Sequence, residues 1–418
     1  MIVAIKQFVQ KWRISVKIVK KTLDIRPEYF FNRNNIDENN IIEDENNVDD
    51  KNNMEVVENT SNYIKEASID EKDIVFFDIE TTGLSAINSV LYLIGVAFYD
   101  DNSWQFIQWF ADECDDEVKL IDAFFEVLKN KKYLIHYNGN GFDIPYIKKK
   151  IEQYDMNYTF ENIESIDLYN TVKKYKKMLA LDNCRLVTIE KYLSIVREDK
   201  YNGKELIDTY KEFIKIYSLE KLKGDLDKSS ILLKDLLLHN EEDIINLLAV
   251  TRIKYLDDLF AGNMIFDEYD IKEDRVCCKY HTDYKLPINN NIEITRENCI
   301  VKINTDNSVV IEIAIYNEVL KYYYEDYKNY YYLIKEDVAV HKSVAQYVDK
   351  EYRVQAKPST CYIKKEDKYV PAFNYKKDKD TKRMLELKRE NKDKQSFYQL
   401  SIIKDMDKYG KTVLYELI

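Results

Sequence analysis

Three apolar runs of strand length sit close together after a long polar stretch, and they limit what the residues around them can fold into. Residues 74–77 (IVFF), 90–99 (VLYLIGVAFY) and 104–110 (WQFIQWF) are dominated by β-branched, aromatic and other apolar side chains. The last two are separated by the turn signal Asp100-Asp101-Asn102-Ser103. Residues 115–129 then change period, with Val118, Ile121, Phe124, Phe125 and Leu128 on one helical face. A short strand at 133–137 (YLIHY), a helix at about 144–153 and a fifth strand at 165–168 follow, and from 168 to about 260 the pattern is almost wholly helical. Three consecutive strands followed by alternating helix and strand predict an α/β domain over 71–260. Its centre is a mixed five-stranded sheet flanked by helices.

The rest of the chain reads differently. Residues 32–70 are rich in Asn, Asp and Glu and poor in apolar side chains, which predicts a disordered linker. Ahead of it, residues 1–31 are a basic segment with the makings of an amphipathic helix. Residues 264–332 alternate in the manner of strands (CIVKIN, SVVIEIAIYN) and carry a crowd of tyrosines at 322–332, predicting a smaller α+β accessory domain over 263–418. A hydrophobic share of 45% across 418 residues excludes wholesale disorder. The longest uncharged apolar run, 89–99, is short of the roughly 20 residues a membrane-spanning helix needs. Six cysteines without a C-x-x-C pair, and only four histidines, exclude a zinc framework and fit reduced thiols in a cytoplasmic protein. Lysines and an arginine interrupt every apolar stretch of residues 1–31, so no signal peptide is expected there. The net charge of −12 decides nothing about a nucleic-acid partner, because the linker holds much of the excess of acid over base while residues 335–418 are base-rich.

Four acidic positions stand out by where they fall. Asp78 and Glu80 end the first strand two residues apart, so both carboxylates face the same side. Asp143 lies where a strand gives way to a helix, as a ligand or as a helix cap. Asp243 lies in the long helix, one turn after His239, and the two share a face. Carboxylates gathered at contact distance repel one another unless a cation offsets the charge. Hard oxygen donors suit Mg²⁺ or Mn²⁺, and two such ions can stabilise both oxygens of a phosphoryl displacement while a histidine handles the proton of the attacking water. The joint pattern points to metal-assisted phosphodiester hydrolysis.

These residues resemble a known group. Residues 77–84 (FDIETTGL) resemble the first motif of the DEDD exonucleases, which share a ribonuclease H-like fold. Tyr137-Asn138-Gly139 with Phe142-Asp143-Ile144-Pro145 resembles their second motif, and residues 239–243 resemble the third. Within the group the chain looks most like the YprB-type ribonuclease H-like domain, through residues 165–168, 186–193 (LVTIEKYL) and 197–203 (REDKYNG). The resemblance implies that Asp78, Glu80, Asp143 and Asp243 hold two divalent cations and that His239 orients or deprotonates the water. It also implies that Thr81, Thr82, Gly83 and Leu84 contact the terminal nucleotide, that Asn138 supports the second motif, and that the partner is DNA or RNA with a 3′ end. Histidine-type members place His five residues before the last Asp, where this chain has Leu238; His239 stands in the slot of the tyrosine-type members. The expectation is therefore a metal-dependent 3′→5′ exonuclease. The alternative is an inactive nucleic-acid-binding or scaffolding protein that retains the fold. Clustered bases at Lys364, Lys365, Lys368, Lys376, Lys377, Lys379, Lys382, Arg383, Lys388, Arg389, Lys392 and Lys394 read either as a backbone-binding face or as a solvated charged surface.

Overall fold

The computed structural model describes residues 17–27, 29, 69–111, 116–223, 227–373 and 386–417. The linker expected at 32–70 and the bases between 376 and 383 lie almost wholly outside these residues. The chain forms two compact units, Met1–Lys254 and Tyr255–Ile418.

The first unit is built on a six-stranded sheet in the order β1-β4-β3-β2-β5-β6. Its strands are β1 (Lys17–Leu23), β2 (Ile74–Thr81), β3 (Leu91–Asp100), β4 (Ser103–Phe110), β5 (Tyr133–His136) and β6 (Glu164–Asp167). The pairs β1–β4, β4–β3 and β3–β2 are antiparallel, while β2–β5 and β5–β6 are parallel, so the sheet is mixed as expected. The sixth strand corrects the sequence reading twice. It raises the strand number from five to six, and it shows that Lys17–Leu23 (KIVKKTL) is a strand rather than part of a helix. Lysines are at home on a sheet edge, where they discourage further pairing. Here Lys17 also lies over the rings of Phe213 and Tyr217 while Ile18 packs on the core.

Helices cover both faces of the sheet. Val75, Phe77 and Ile79 of β2 join a core with α1 (Glu117–Leu128) and α2 (Asp143–Gln153). On the opposite face Tyr92, Leu93 and Phe110 pack against Leu206, Tyr210 and Phe213 of α5 (Gly203–Lys223) and Leu236 of α6 (Asp227–Val250). Between α2 and α5 lie α3 (Leu168–Tyr175) and α4 (Leu186–Tyr192). Because β2 alternates, the side chains of Asp78 and Glu80 point away from the α1–α2 core, toward the face that α6 covers.

The second unit opens with α7 (Tyr255–Phe260), so these residues, expected at the end of the first domain, pack with the second; Tyr255 stacks on Tyr284. The unit is mostly β. A five-stranded antiparallel sheet is accompanied by two three-stranded sheets, and one substantial helix, Met406–Tyr415, packs on the largest. Several of its bases are ion-paired: Lys364 with Asp337, Lys321 with Glu390, and Arg389 with both carboxylate oxygens of Glu318.

Candidate active site

The end of β2 sets the first two carboxylates. Its pairing with β3 shifts register between Glu80 and Thr81, a bulge of the kind that re-aims side chains at the end of a strand. Beyond it the chain turns tightly: Thr81 Oγ1 donates to the Gly83 carbonyl (2.9 Å), and the Val90 amide donates to Thr82 Oγ1 (2.8 Å). Helix α2 holds this turn from the side through Lys150 Nζ to the Ser89 carbonyl (2.7 Å) and the Tyr146 hydroxyl to Ser89 Oγ (2.8 Å). The pinned turn leaves Leu84 88% exposed, an apolar side chain in solvent on the turn that follows Glu80.

The third carboxylate arrives through the loop after β5. Asn138 takes a left-handed φ of 62°, and its carbonyl accepts from the amides of Gly141 and Phe142. Asp167 ties the loop down, accepting the amides of Asn138 (2.7 Å) and Asn140 (3.3 Å), and it also caps α3 through the Tyr169 amide. His136 is buried and its pKa is pushed down to about 4 by burial, against the pull of Asp167. Its Nδ1 accepts the Gly139 amide (3.0 Å), which leaves Nε2–H to donate to Ser165 Oγ (2.7 Å). The loop delivers Asp143 as the first residue of α2, with Pro145 in the first turn where its missing N–H costs nothing. Asp143 is therefore in the helix rather than capping it. Its carboxylate accepts the amides of Asp143 itself and of Ile79, between the two acids of β2.

Helix α6 brings the rest. Gly95 on β3 lets it approach: a Cβ there would lie 2.1 Å from Asn240 Oδ1. Fully buried Asn240 accepts from Gln108 Nε2 (2.9 Å) and donates to Asp78 Oδ2 (2.9 Å). One residue earlier, His239 directs Nε2 toward Asp243 Oδ2 (3.6 Å) and Glu80 Oε1 (3.8 Å). Arg197 ion-pairs with Asp243 and is itself anchored on buried Glu190 (3.1 Å).

The charges are poorly compensated. Burial, then repulsion from Asp243, Asp143 and Glu80, raises the Asp78 pKa well above the carboxylate range, against the Asn240 hydrogen bond. Glu80 is pushed up to about 8 by burial and by Asp243 and Asp143, although His239 and Arg197 act the other way. Asp143 is pushed up to about 7, chiefly by burial. Burial opposes the His239 imidazolium, but the carboxylates of Asp243, Glu80 and Asp199 outweigh it and raise its pKa. Clustered, partly buried oxygen donors that resist ionisation are a donor set a hard divalent cation fits. Single ligand atoms of Glu80, His239 and Asp243 lie within 4.8 Å of one another.

A family model described as the RNase_H superfamily matches residues 75–254. With the mixed sheet and its two helical layers, this gives the matched residues a ribonuclease H-like α/β fold. Among solved structures, the family B DNA polymerase of the hyperthermophilic archaeon Pyrobaculum calidifontis is 13% identical with a TM-score of 0.32, the match covering 63% of this chain and 35% of the polymerase. Escherichia coli exonuclease I with a 5cy-dA13 oligonucleotide is 13% identical with a TM-score of 0.21, covering 28% of this chain and 35% of that one. Its zinc-bound complex with single-stranded DNA is 13% identical with a TM-score of 0.24, covering 55% and 54%. The chain thus spans about a third to just over half the length of these proteins. None of the curated proteins compared with the chain matches it.

The structure gathers Asp78, Glu80, Asp143, His239 and Asp243 into one mutually interacting cluster. Thr81, Thr82, Gly83 and Leu84 form the turn at its rim, while Asn138 serves the loop chiefly through its backbone. Sequence reasoning missed Asn240, Gln108, Arg197 and Asp199. Arg197 and Asp199 fall in a quoted segment but had no role, and nothing in a single sequence marks Asn240 apart from its place next to His239.

Proposed function

We propose that the first unit is a metal-dependent 3′→5′ exonuclease acting on single-stranded DNA or RNA. The observation that carries this reading is the convergence of Asp78, Glu80, Asp143 and Asp243 from a strand end, a helix start and a facing helix, with pKa values of the first three raised by burial and mutual repulsion. Those four side chains would hold two divalent cations, Mg²⁺ or Mn²⁺. When bound, the ions supply charge stabilisation for the attacking and leaving oxygens of the displacement. His239 keeps Nε2 at the rim of the cluster, where it holds or accepts the proton of the attacking water. The exposed Leu84 and the turn at 81–84 offer an apolar and backbone surface for the terminal nucleotide. The 3′ polarity follows from the resemblance of the three motifs.

The test is cleavage of 5′-labelled single-stranded DNA and RNA of equal sequence with Mn²⁺, Mg²⁺ or chelator, beside Asp78→Ala. A metal-dependent ladder shortening from the 3′ end, absent in the variant, is expected. Wild-type turnover by Asp78→Ala would remove the assignment; binding without cleavage of either strand would favour a non-catalytic nucleic-acid-binding module.

A further inference from the structure

The segment 197–199, between α4 and α5, grips the face of α6 that carries His239 and Asp243. Glu242 of α6 accepts the backbone amides of Glu198 and Asp199, both at 2.8 Å. In return, Arg197 holds Asp243, and the Asp199 carboxylate meets His239 Nδ1 at 2.6 Å. The Asp199 side chain is only 2% exposed, and the Arg197 Nε lies 3.5 Å from the same oxygen.

The partners of Asp199 restrict what its oxygens can do. Oδ1 accepts the Tyr201 amide at 3.2 Å, and Oδ2 faces the imidazole and the guanidinium. A carboxylate between two obligatory donors is an acceptor, so the proton on His239 belongs on Nδ1. The neutral ring then presents the lone pair of Nε2 to the side where Glu80 and Asp243 lie. In the other tautomer the 2.6 Å contact would set two acceptors against each other, and Nε2 would already carry a proton.

We propose that Asp199 is a positioning residue for the proposed nuclease: it fixes the Nδ1–H tautomer and the ring orientation of His239, so that Nε2 is free to take a proton from water at the carboxylate cluster. The proposal rests on the nuclease reading of the site, and it adds a residue outside the three motifs. Outer partners that orient metal-bound imidazoles typically change affinity or activity about 10–100-fold when removed, and a loss of the same order is expected for a proton-handling ring.

The experiment uses the full chain labelled with ¹⁵N-histidine at pH 8.5 with Mg²⁺. Only four histidines contribute, and the signal lost in His239→Asn assigns the one of interest. The expected spectrum shows His239 with a protonated Nδ1 and an unprotonated Nε2, and mixed tautomers in Asp199→Ala. Steady-state cleavage should show kcat lower by about 10–100-fold in Asp199→Ala, with KM and Mg²⁺ affinity unchanged. Asp199→Asn should restore none of that loss: with its oxygen kept on the Tyr201 amide, its NH₂ faces Nδ1, which must then accept, and the ring is held with its proton on Nε2. Should Asp199→Ala fold poorly, Asp199→Asn carries both measurements. A wild-type His239 protonated on Nε2, or full kcat in Asp199→Ala, would overturn the proposal. A wild-type protein that cleaves nothing would sink the nuclease reading instead, and the tautomer would still decide whether Asp199 sets the ring.

Discussion

Gly95→Ala tests whether the contact between α6 and the sheet builds the site. A Cβ at this position would lie 2.1 Å from Asn240 Oδ1 and 2.3 Å from Ile244 Cδ1. Comfortable carbon–carbon contacts are about 3.5–4.0 Å, so something has to retreat by about 1 Å or more. Both clashing atoms are side-chain ends, yet neither can swing away freely. Asn240 is held between Gln108 and Asp78, and Ile244 is fully buried. If the helix moves, the 2.9 Å bond from Asn240 to Asp78 is stretched beyond hydrogen-bond range; if Asn240 rotates, the same bond is lost. Overpacking costs about 1–3 kcal/mol and a stranded buried polar group about 1–3 kcal/mol more, together about 2–6 kcal/mol. At about 2–4 °C per kcal/mol for a domain of this size, a mid-range loss lowers the melting temperature by roughly 8–16 °C. A displacement of about 1 Å between reacting groups can cost on the order of 100-fold in rate, so cleavage should fall with stability. The assay pairs a thermal melt of the full chain with cleavage at a temperature where the variant remains folded. A variant melting within about 2 °C of wild type, with unaltered cleavage, would show that α6 does not depend on a bare backbone at Gly95.

Two further outcomes follow from the site. The raised pKa values of Asp78, Glu80 and Asp143 mean that the folded protein binds protons more tightly than the unfolded chain, so these groups cost the metal-free protein stability as pH rises toward about 8. His136, with its pKa lowered to about 4, acts in the opposite direction, but only below the unfolded value of about 6.5. The difference in urea midpoint with and without Mg²⁺ should therefore widen between about pH 6.5 and 8.5, and a constant difference would contradict the carboxylate cluster as the ion's site. In the second motif, Gly139→Ala would bring a Cβ to 2.6 Å from His136 Nδ1 and break the bond that shapes the loop. A loss of about 1–3 kcal/mol in urea denaturation and weakened cleavage are expected, whereas unchanged values for both would show slack in the loop.

The parts of the site visible in the sequence were those that local periodicity fixes. Asp78 and Glu80 must share a face because they lie two apart on a strand, and His239 and Asp243 because they lie one turn apart on a helix. The central strands were legible for the same reason, since buried strands need unbroken apolar runs. Strand β1 was not, because an edge strand exposes one flank and tolerates lysines that read as a helix face. The start of the second unit was hidden inside a run of helical spacing that the structure breaks at the 3₁₀ turn Thr251–Lys254. What supports the carboxylates was hidden more deeply. An acid taken out of water needs donors, and the donors here arrive from elsewhere in the chain: Asn240 to Asp78 across 162 positions, Arg197 to Asp243 across 46, His239 to Asp199 across 40. Periodicity says which acids meet, whereas only packing says which amide or guanidinium stands behind each one. The positions most in need of mutation are therefore the ones no motif contains: Gly95, whose missing side chain admits α6, and Asp199, whose two donors leave His239 a single tautomer.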